Sequence, residues 1–386
     1  MRHGDYAATF GEDAFLDALD TAGGTAARMA QAERLENLVV ACERAIVRKD
    51  ARVAAAACRA AWVVWAAKGP SAVAVALAQR VLGLATLDDG DRGRVERVAG
   101  LAQRMSGKPG LAEAHLLEAL ALFRAVGEVW GEASVLGNLG LLFMERGRMD
   151  EAGKAQEQAL ALHRSVRHRK GEGIALGNLA VLHRRIGQGA RAAQECEDAL
   201  AIHREVGNRR EEGVALGNLG LLCAERDRLD AAKLHFEAAL AIHREVGNRR
   251  SEGVMLGNLG EQALEQGQLH DARRSLSAAL TIHREIGNRR FEGVMLGALG
   301  LLAAREGAHE EALGHLQQGE DVLRGVGDQL KLGRLLCARA EAAHLAGDFE
   351  GATVAISEAG WLAGAVGATP NTELGKMLAR VTALVG

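Results

Sequence analysis

The sequence predicts an all-α solenoid built from tandem pairs of helices. Two observations predict this fold. The composition is dominated by alanine, leucine, arginine and glutamate, with 3% aromatic residues and three prolines in 386 residues, and this mixture favours helices over strands. In addition, two sequence motifs recur at a fixed interval of 40 residues. A repeat of this length is typical of stacked helical units that bury one continuous core.

Five copies of one motif define the register of the repeats. Leu-Gly-Asn-Leu-Gly begins at Leu136, Leu216 and Leu256, with variants at Leu176 and Leu296. A second motif, Ile-His-Arg-Glu-Val/Ile-Gly-Asn-Arg-Arg, begins at Ile202, Ile242 and Ile282. We therefore divide residues 92–371 into seven blocks of 40 residues, of which the first and the last are the most divergent.

Each block is predicted to contain two helices. In the block 212–251, Leu216, Leu219, Gly220 and Cys223 fall at helical spacing and form one apolar face. The first helix ends at Asp227, where other blocks carry a glycine suited to a left-handed helix end. These glycines are Gly147, Gly187, Gly267 and Gly307. The second helix ends at Gly247, and Asn248 is placed to cap the next helix.

Four residues of this block carry a family resemblance. Gly220, Ala232, Phe236 and Ala239 stand at the spacing of the tetratricopeptide signature, in which small residues let two helices approach and a larger one fills the gap. The 40-residue period is similar to the longer repeat of kinesin light chains, spindle-orientation adaptors and bacterial signalling proteins. The resemblance implies a right-handed superhelix of helix-turn-helix repeats whose first helices line a concave groove.

The segments that flank the repeats are less regular. Residues 1–28 are expected to be a mobile tail. Residues 29–91 resemble the helical arm that joins the ATPase to the repeat sensor in bacterial signal-transduction ATPases, and are also compatible with degenerate repeats. Residues 372–386, with Leu374 and Val381 at helical spacing, are predicted to form a helix that caps the last repeat.

Charge and cysteine content narrow the classes of partner. The formal net charge of −3 gives no general attraction to nucleic acid or to acidic membranes. The five cysteines include no CxxC pair, so they are interpreted as buried side chains in a reducing compartment, and we expect a cytoplasmic protein. We expect no signal peptide, and no apolar run is long enough to span a membrane.

No enzyme, cofactor or metal site is predicted. Gly107-Lys108 is followed by Pro109 rather than by the Ser or Thr of a phosphate-binding loop, and His309-Glu310 has Leu313 where a zinc protease needs histidine. One histidine recurs at the same position of four successive repeats, but equivalent positions in successive repeats lie roughly 10 Å or more apart, too far for one metal. We expect a packing or surface role for these histidines, which are His163, His203, His243 and His283.

The predicted binding surface lies on the first helices, on the side opposite the core stripe. By resemblance to the adaptors, a row of asparagines is expected to bind the backbone of an extended peptide through amide groups that both donate and accept. This row is Asn138, Asn178, Asn218 and Asn258. A basic row is expected to pair with acidic side chains of the peptide, and Leu221 belongs to an apolar row beside it. The basic row is Lys170, Arg210, Arg250 and Arg290.

Two further features favour a binding role. Arg209 and Arg210 open a helix, where positive charge meets the positive end of the helix dipole. Gly217 leaves room beside the backbone of the same helix. The competing interpretation is structural: Glu205 and Arg209 form a surface pair across one helical turn, and the asparagines bond neighbouring helices.

The leading hypothesis for function is a scaffold or adaptor that binds a segment of another protein. The first alternative is a sensor module that binds a small effector in a bacterial signalling system. The second is a self-assembling structural array, because stacked repeats with an open end can bind another copy. The oligomeric state and the identity of the partner are left open by the sequence.

Overall fold

The computed structural model describes residues 3–12, 15, 16, 19, 30–68, 71–370 and 372–385. All regular secondary structure in these ranges is helical. Within them, no helix combines the length and the hydropathy that crossing a membrane would require. The chain forms two compact units, within each of which the residues are in close contact. The first unit comprises residues 1–218 with 245–247, and the second comprises residues 219–244 with 248–386.

Within the described residues before 89, four helices precede the regular repeats: α1 (His3–Thr9), α2 (Leu35–Val47), α3 (Ala51–Lys68) and α4 (Ser71–Leu82). The small side chains of α3 allow close contact on several sides, and Ala54, Ala57 and Ala60 are fully buried. Helix α1 packs against α2 and α3 and buries Ala7 and Ala8. The mobile tail expected for residues 1–28 stays a prediction, and residues 20–29 lie outside the described ranges.

Seven pairs of helices follow, and successive pairs begin 40 residues apart. The helices of each pair contact each other, and most also contact the following helix. In the first unit the complete pairs are α5 (Asp89–Met105) with α6 (Pro109–Val126), α7 (Val129–Glu145) with α8 (Met149–Ser165), and α9 (Arg169–Arg185) with α10 (Gly189–Glu205). Helix α11 (Arg209–Ala224) pairs with α12 (Leu229–Glu245).

The remaining three pairs belong to the second unit. They are α13 (Arg249–Glu265) with α14 (Leu269–Glu285), α15 (Arg289–Arg305) with α16 (His309–Val326), and α17 (Gln329–Leu345) with α18 (Phe349–Ala365). The final helix, α19 (Glu373–Val385), packs against α17 and α18. It buries Leu374 and Val381, and the methyl groups of Leu374 lie against Gly333.

The backbone conformation of the loops recurs every 20 residues, which is half the length of the sequence repeat. From residue 107 to residue 367, every twentieth residue has a positive φ, between 54° and 80°. Twelve of these residues are glycines, including the predicted Gly147, Gly187, Gly267 and Gly307. Arg167 and Asp227 adopt the same conformation with φ of 54° and 57°. Left-handed backbone is unfavourable for residues with a Cβ atom, so these two loops are strained relative to the others.

The tetratricopeptide signature residues meet as the resemblance implies. Ala232, Phe236 and Ala239 are buried in α12. A Cβ atom added to Gly220 would lie 2.5 Å from Cε1 of Phe236, well inside van der Waals contact. Glycine at this position thus lets the Phe236 ring fill the space between the paired helices. An all-α solenoid of repeats is confirmed.

Candidate binding face

The predicted asparagine row is partly exposed. Asn138, Asn178 and Asn218 in the first unit are half-buried, as are Leu141 and Val181 one turn further along their helices. We call these five residues the asparagine face. In the second unit, Asn258 and Leu221 are also half-buried. These first helices therefore carry a partly exposed asparagine beside their core-facing leucines.

Most of these amides have no partner among the described residues. Asn138 and Asn218 form no hydrogen bond with any other described residue. The Asn178 Nδ2 donates to Oε1 of Gln156 at 3.3 Å, and Gln156 Nε2 donates to the carbonyl of Gly137 at 2.8 Å. Gln156 is fully buried, so it holds Asn178 beside the backbone that carries Asn138. The Nδ2 atom of Asn258 is buried without a partner in the described ranges.

The members of the predicted basic row differ in their exposure to solvent. Lys170 and Arg210 are half-buried, whereas Arg250 and Arg290 are exposed. The Nε of Arg290 lies 2.8 Å from Oδ2 of Asp328, so its charge already has an anionic partner. Lys170 and Arg210 are the members of this row that share the first unit with the asparagine face.

Arg209 forms ion pairs within the fold. Its position at the start of a helix had suggested a role in binding a partner. Its Nη1 bonds Oε2 of Glu212 and its Nη2 bonds Oε2 of Glu245, both at 2.6 Å. Glu212 is 5% exposed and also accepts from Nε of Arg204 at 3.0 Å. The carboxylates offset the unfavourable helix-dipole position. The predicted pair of Glu205 with Arg209 is wrong: Glu205 bonds Arg169 at 2.6 Å.

The same junction recurs at four successive repeats. In each, a buried glutamate on the first turn of a helix binds one arginine before the loop and one after it. The trios are Arg164–Glu172–Arg169, Arg204–Glu212–Arg209, Arg244–Glu252–Arg249 and Arg284–Glu292–Arg289. We call these the arginine junctions. They lie at the loops between repeats and join the last turn of one repeat to the first turn of the next.

The recurring histidines are core residues. His163, His203, His243 and His283 are at most 6% exposed. The ring of His203 lies against Gly173, and that of His283 against Gly253, where a Cβ atom would come within 3 Å. Burial lowers the pKa of His163, His203 and His283 to about 4, so the rings are neutral near pH 7. Among the described residues, no three histidine, cysteine, aspartate or glutamate side chains are arranged to hold a metal ion.

The glycine of the motif does not have one common role. A Cβ atom added to Gly177 would meet nothing within 4 Å, so there the backbone beside Asn178 is open to approach. At Gly257, the corresponding position in the second unit, a Cβ atom would lie 2.9 Å from Cε of Met295. Gly217 is buried. Room beside the backbone is thus found in the first unit at Gly177, whereas Gly257 is required for packing.

The first helices of the second unit carry an ionic cluster that the sequence interpretation missed. Arg334 bonds Glu261 at 3.4 Å and Glu373 of α19 at 3.0 Å. Burial, reinforced by the neighbouring Glu261 carboxylate, raises the pKa of Glu265, and burial lowers the pKa of Lys331. Two sequence features indicate this cluster. Glu261 stands in the row that has Leu141, Val181, Leu221 and Leu301 in other blocks, and Arg334 stands where the five preceding blocks have valine, isoleucine or serine.

A tetratricopeptide-repeat family model matches residues 131–194, 172–245 and 251–325. The chain is a tetratricopeptide-repeat protein. The matched ranges include every residue of the arginine junctions except Arg249, all four asparagines and the Gly220–Phe236 contact. In this tetratricopeptide-repeat protein, the unmatched residues before 131 continue the same 40-residue helix spacing back to α5. Comparison with curated proteins gave no match.

Solved structures share the fold at low identity. A Rap protein complexed with competence and sporulation factor is 13% identical, with a TM-score of 0.68, and the match covers 89% of this chain and 99% of that one. Aspartyl phosphate phosphatase F from Bacillus subtilis is 13% identical, with a TM-score of 0.59 and coverages of 88% and 95%. A signal-transduction ATPase with a tetratricopeptide-repeat sensor from Pyrococcus horikoshii is 15% identical, with a TM-score of 0.56 and coverages of 90% and 55%.

Proposed function

We propose that this tetratricopeptide-repeat protein is a scaffold that binds an extended segment of another protein on the asparagine face. The observation that carries the proposal is the row of half-exposed amides, because Asn138 and Asn218 have no hydrogen-bond partner among the described residues. Each amide offers a donor and an acceptor, which matches the needs of an unpaired peptide backbone. The open backbone at Gly177 gives such a segment room to approach.

The neighbouring side chains indicate the character of the segment. Leu141 and Val181 offer partly exposed apolar surface between the amides. Lys170 and Arg210 add two cationic groups in the same unit. An extended segment with small apolar residues and one or two carboxylates fits this combination, since charge-assisted hydrogen bonds to arginine are stronger than neutral ones. The Rap structure supports the proposal, because a protein of similar fold is there complexed with competence and sporulation factor.

A selection from a random peptide-display library tests the proposal before any partner is identified. The wild-type chain is the bait, and the variant Asn138→Ala with Asn218→Ala is the counter-selection. Neither substitution removes a hydrogen bond among the described residues, so the fold is expected to persist. Loss of one hydrogen bond costs about 1 kcal/mol, and binding of the selected peptides should weaken by roughly 10- to 100-fold in the double variant.

Gln158→Ala is the matched control, because Gln158 is exposed on the second helix α8. It should bind the selected peptides like the wild type. Peptides that bind the double variant as tightly as the wild type would contradict the proposal. Selected sequences that are uniformly basic would contradict the role of Lys170 and Arg210.

A sensor for a small effector is the second candidate. It is favoured by the structural similarity to an ATPase whose repeats are described as a sensor. A thermal-shift screen with nucleotides and sugars distinguishes this candidate, since a ligand that binds the folded state raises the unfolding midpoint. A hit that survives Asn138→Ala with Asn218→Ala would place the effector elsewhere. We also propose that the chain acts by binding rather than by catalysis, because the asparagine face repeats one residue type and lacks a mixed catalytic set.

A further inference from the structure

The last repeat departs from the others at positions that elsewhere form the apolar core. Glu320 in α16 stands where the earlier second helices have Leu160, Leu200, Leu240 and Leu280, and Arg339 in α17 stands where the earlier first helices have Leu139, Leu179, Leu219, Leu259 and Leu299. Glu320 is 7% exposed and accepts a hydrogen bond from Nη1 of Arg339. Two leucine positions have thus become an acid and a base that bind each other.

A third departure redirects Arg324. Leu332 occupies the position of the glutamate in the arginine junctions. Without that glutamate, Arg324 Nε binds Glu320 at 3.0 Å and Arg324 Nη2 binds Glu358 of α18 at 2.6 Å. The charges of both arginines are therefore matched within α16, α17 and α18.

A cavity of about 290 Å³ opens beside this network. Arg339, Asp348, Glu350 and Glu358 line it together with Val354. Asp348 accepts from the backbone N–H of Gly351 at 2.8 Å, and Glu350 forms no ion pair with a described residue. Glu320, Asp348, Glu350 and Glu358 are four carboxylates for the two arginines, so negative charge is in excess at the cavity.

Val354 lines the cavity and is 62% exposed. Trp361 lies on the same helix, one turn beyond the lining residue Glu358, and is 68% exposed. Earlier second helices have alanine, threonine or aspartate at the position of Trp361. An aromatic face beside surplus carboxylates suits a cation on an aliphatic stem, because the ring attracts the charge and the stem covers apolar surface.

We infer that this cavity, which we call the acidic pocket, binds an arginine or lysine side chain of a partner protein. The surplus carboxylates supply the charge complementarity, and the volume suits a single long side chain rather than a large ligand. Val354 contacts its aliphatic stem, and Trp361, one turn beyond Glu358, is near enough to report the added charge. The acidic pocket is separate from the asparagine face in both residues and preferred charge, so it does not depend on the function proposed above.

The experiment uses the whole chain labelled with 5-fluorotryptophan, whose four tryptophans give separate fluorine signals. Trp361→Phe assigns the relevant signal. The probe is acetyl-Gly-Gly-Arg-Gly-Gly-amide, and the same peptide with citrulline is its neutral control. We expect a saturable shift of the Trp361 signal with the arginine peptide at up to about 10 mM, and at least roughly tenfold weaker binding of the citrulline peptide.

Glu350→Gln with Glu358→Gln removes two charges at nearly constant volume and should abolish the shift. Glu310→Gln with Asp321→Asn is the matched control on α16, where both carboxylates are exposed outside the pocket, and it should retain the shift. Asn138→Ala with Asn218→Ala should also retain it. Circular dichroism establishes that each variant is folded. Equal shifts with arginine and citrulline, an unchanged shift in the Glu350/Glu358 variant, or no Trp361 shift would overturn the inference.

Discussion

Four junctions between repeats are nearly identical, and the following one is different. At residues 163–172, 203–212, 243–252 and 283–292, a buried histidine and an arginine precede the loop, and an arginine and a buried glutamate follow it. At residues 323–332 the histidine is replaced by Leu323, the second arginine by Gln329 and the glutamate by Leu332. Arg324 is retained, but it binds Glu320 and Glu358 instead.

The comparison of these junctions distinguishes residues that recur through duplication of the repeat from residues that the packing of the helices requires. Leu323 fills the same space as the histidines, since its side chain lies against Gly293 as His283 lies against Gly253. A histidine is therefore not needed to pack this position. The replacements at 320, 332 and 339 are mutually consistent, because the new acid and base bind each other. Independent drift would more often leave a buried charge unpaired, which is costly.

The largest expected effect of this difference is on acid stability. The unfolded histidines bind a proton near pH 6.5, whereas the pKa of folded His163, His203 and His283 is about 4. Between these values the unfolded state holds more protons, so stability is complete above about pH 6.5 and falls with acidification. The loss at pH 5 is about 2 kcal/mol for each histidine.

Chemical denaturation at pH 7 and pH 5 measures this loss. His203→Leu reproduces the natural Leu323 and should reduce the difference between the two pH values by roughly one third of the three-histidine total. Lys170 and Glu212 are the charged groups that influence the His203 pKa, and both remain in the variant. An unchanged pH dependence in His203→Leu would show that this ring does not titrate in the way its burial implies.

The second prediction concerns the buried pair of the last repeat. Arg339→Leu leaves Glu320 with Arg324 alone and should lower the free energy of unfolding by about 2 kcal/mol, below the usual cost because one partner remains. Glu320→Leu with Arg339→Leu restores the apolar contact of the earlier repeats. The double variant should be as stable as the wild type or more stable. Denaturation of the two single variants and the double variant completes the cycle, and an additive loss would disprove the coupling.

The third prediction removes one arginine junction. Glu252→Ala deletes a buried carboxylate that binds Arg244 and Arg249. The expected loss is about 1–2 kcal/mol, at the lower end for a charged hydrogen-bonded group because both arginines are about half exposed. Glu237→Ala is the control, since Glu237 is exposed on α12. Equal denaturation midpoints for both variants would mean that the junction does not stabilise the register.

The sequence was sufficient to predict the repeat architecture because local signals agree with one another. Apolar residues at helical spacing and the turn glycines each place the helices independently, and Gly220 with Phe236 fixes how one pair packs. The ion pairs were predicted wrongly for a physical reason. Glu205 lies four residues from Arg209 in sequence, but a loop separates them, and Glu205 instead reaches Arg169 from the end of the following helix.

The two candidate sites differ in how much of each can be predicted from the sequence. The asparagine face follows from periodicity, which identifies the side of a helix that turns away from the core. The contact of Asn178 with Gln156 was not predictable, because Gln156 stands where the later repeats have cysteine, phenylalanine, leucine or isoleucine. The acidic pocket has a visible sequence signal in Glu320 and Arg339, but only the geometry shows that these residues bind each other beside a cavity.

The smallest effects are expected at the two loops that lack glycine. Arg167 and Asp227 have φ of 54° and 57°, while the equivalent residues at twelve other loops are glycines. Arg167→Gly and Asp227→Gly relieve the left-handed strain, worth about 1–2 kcal/mol, but increase the entropy of the unfolded chain by about 0.4–1 kcal/mol. The free energy of unfolding of each variant should therefore rise by about 0.5–1 kcal/mol. Gly207→Ala makes the opposite change, because it adds a side chain at a loop residue with φ of 66°. It should lower the free energy of unfolding. A loss on either substitution to glycine would show that the arginine or aspartate side chain stabilises its loop by more than the backbone strain costs.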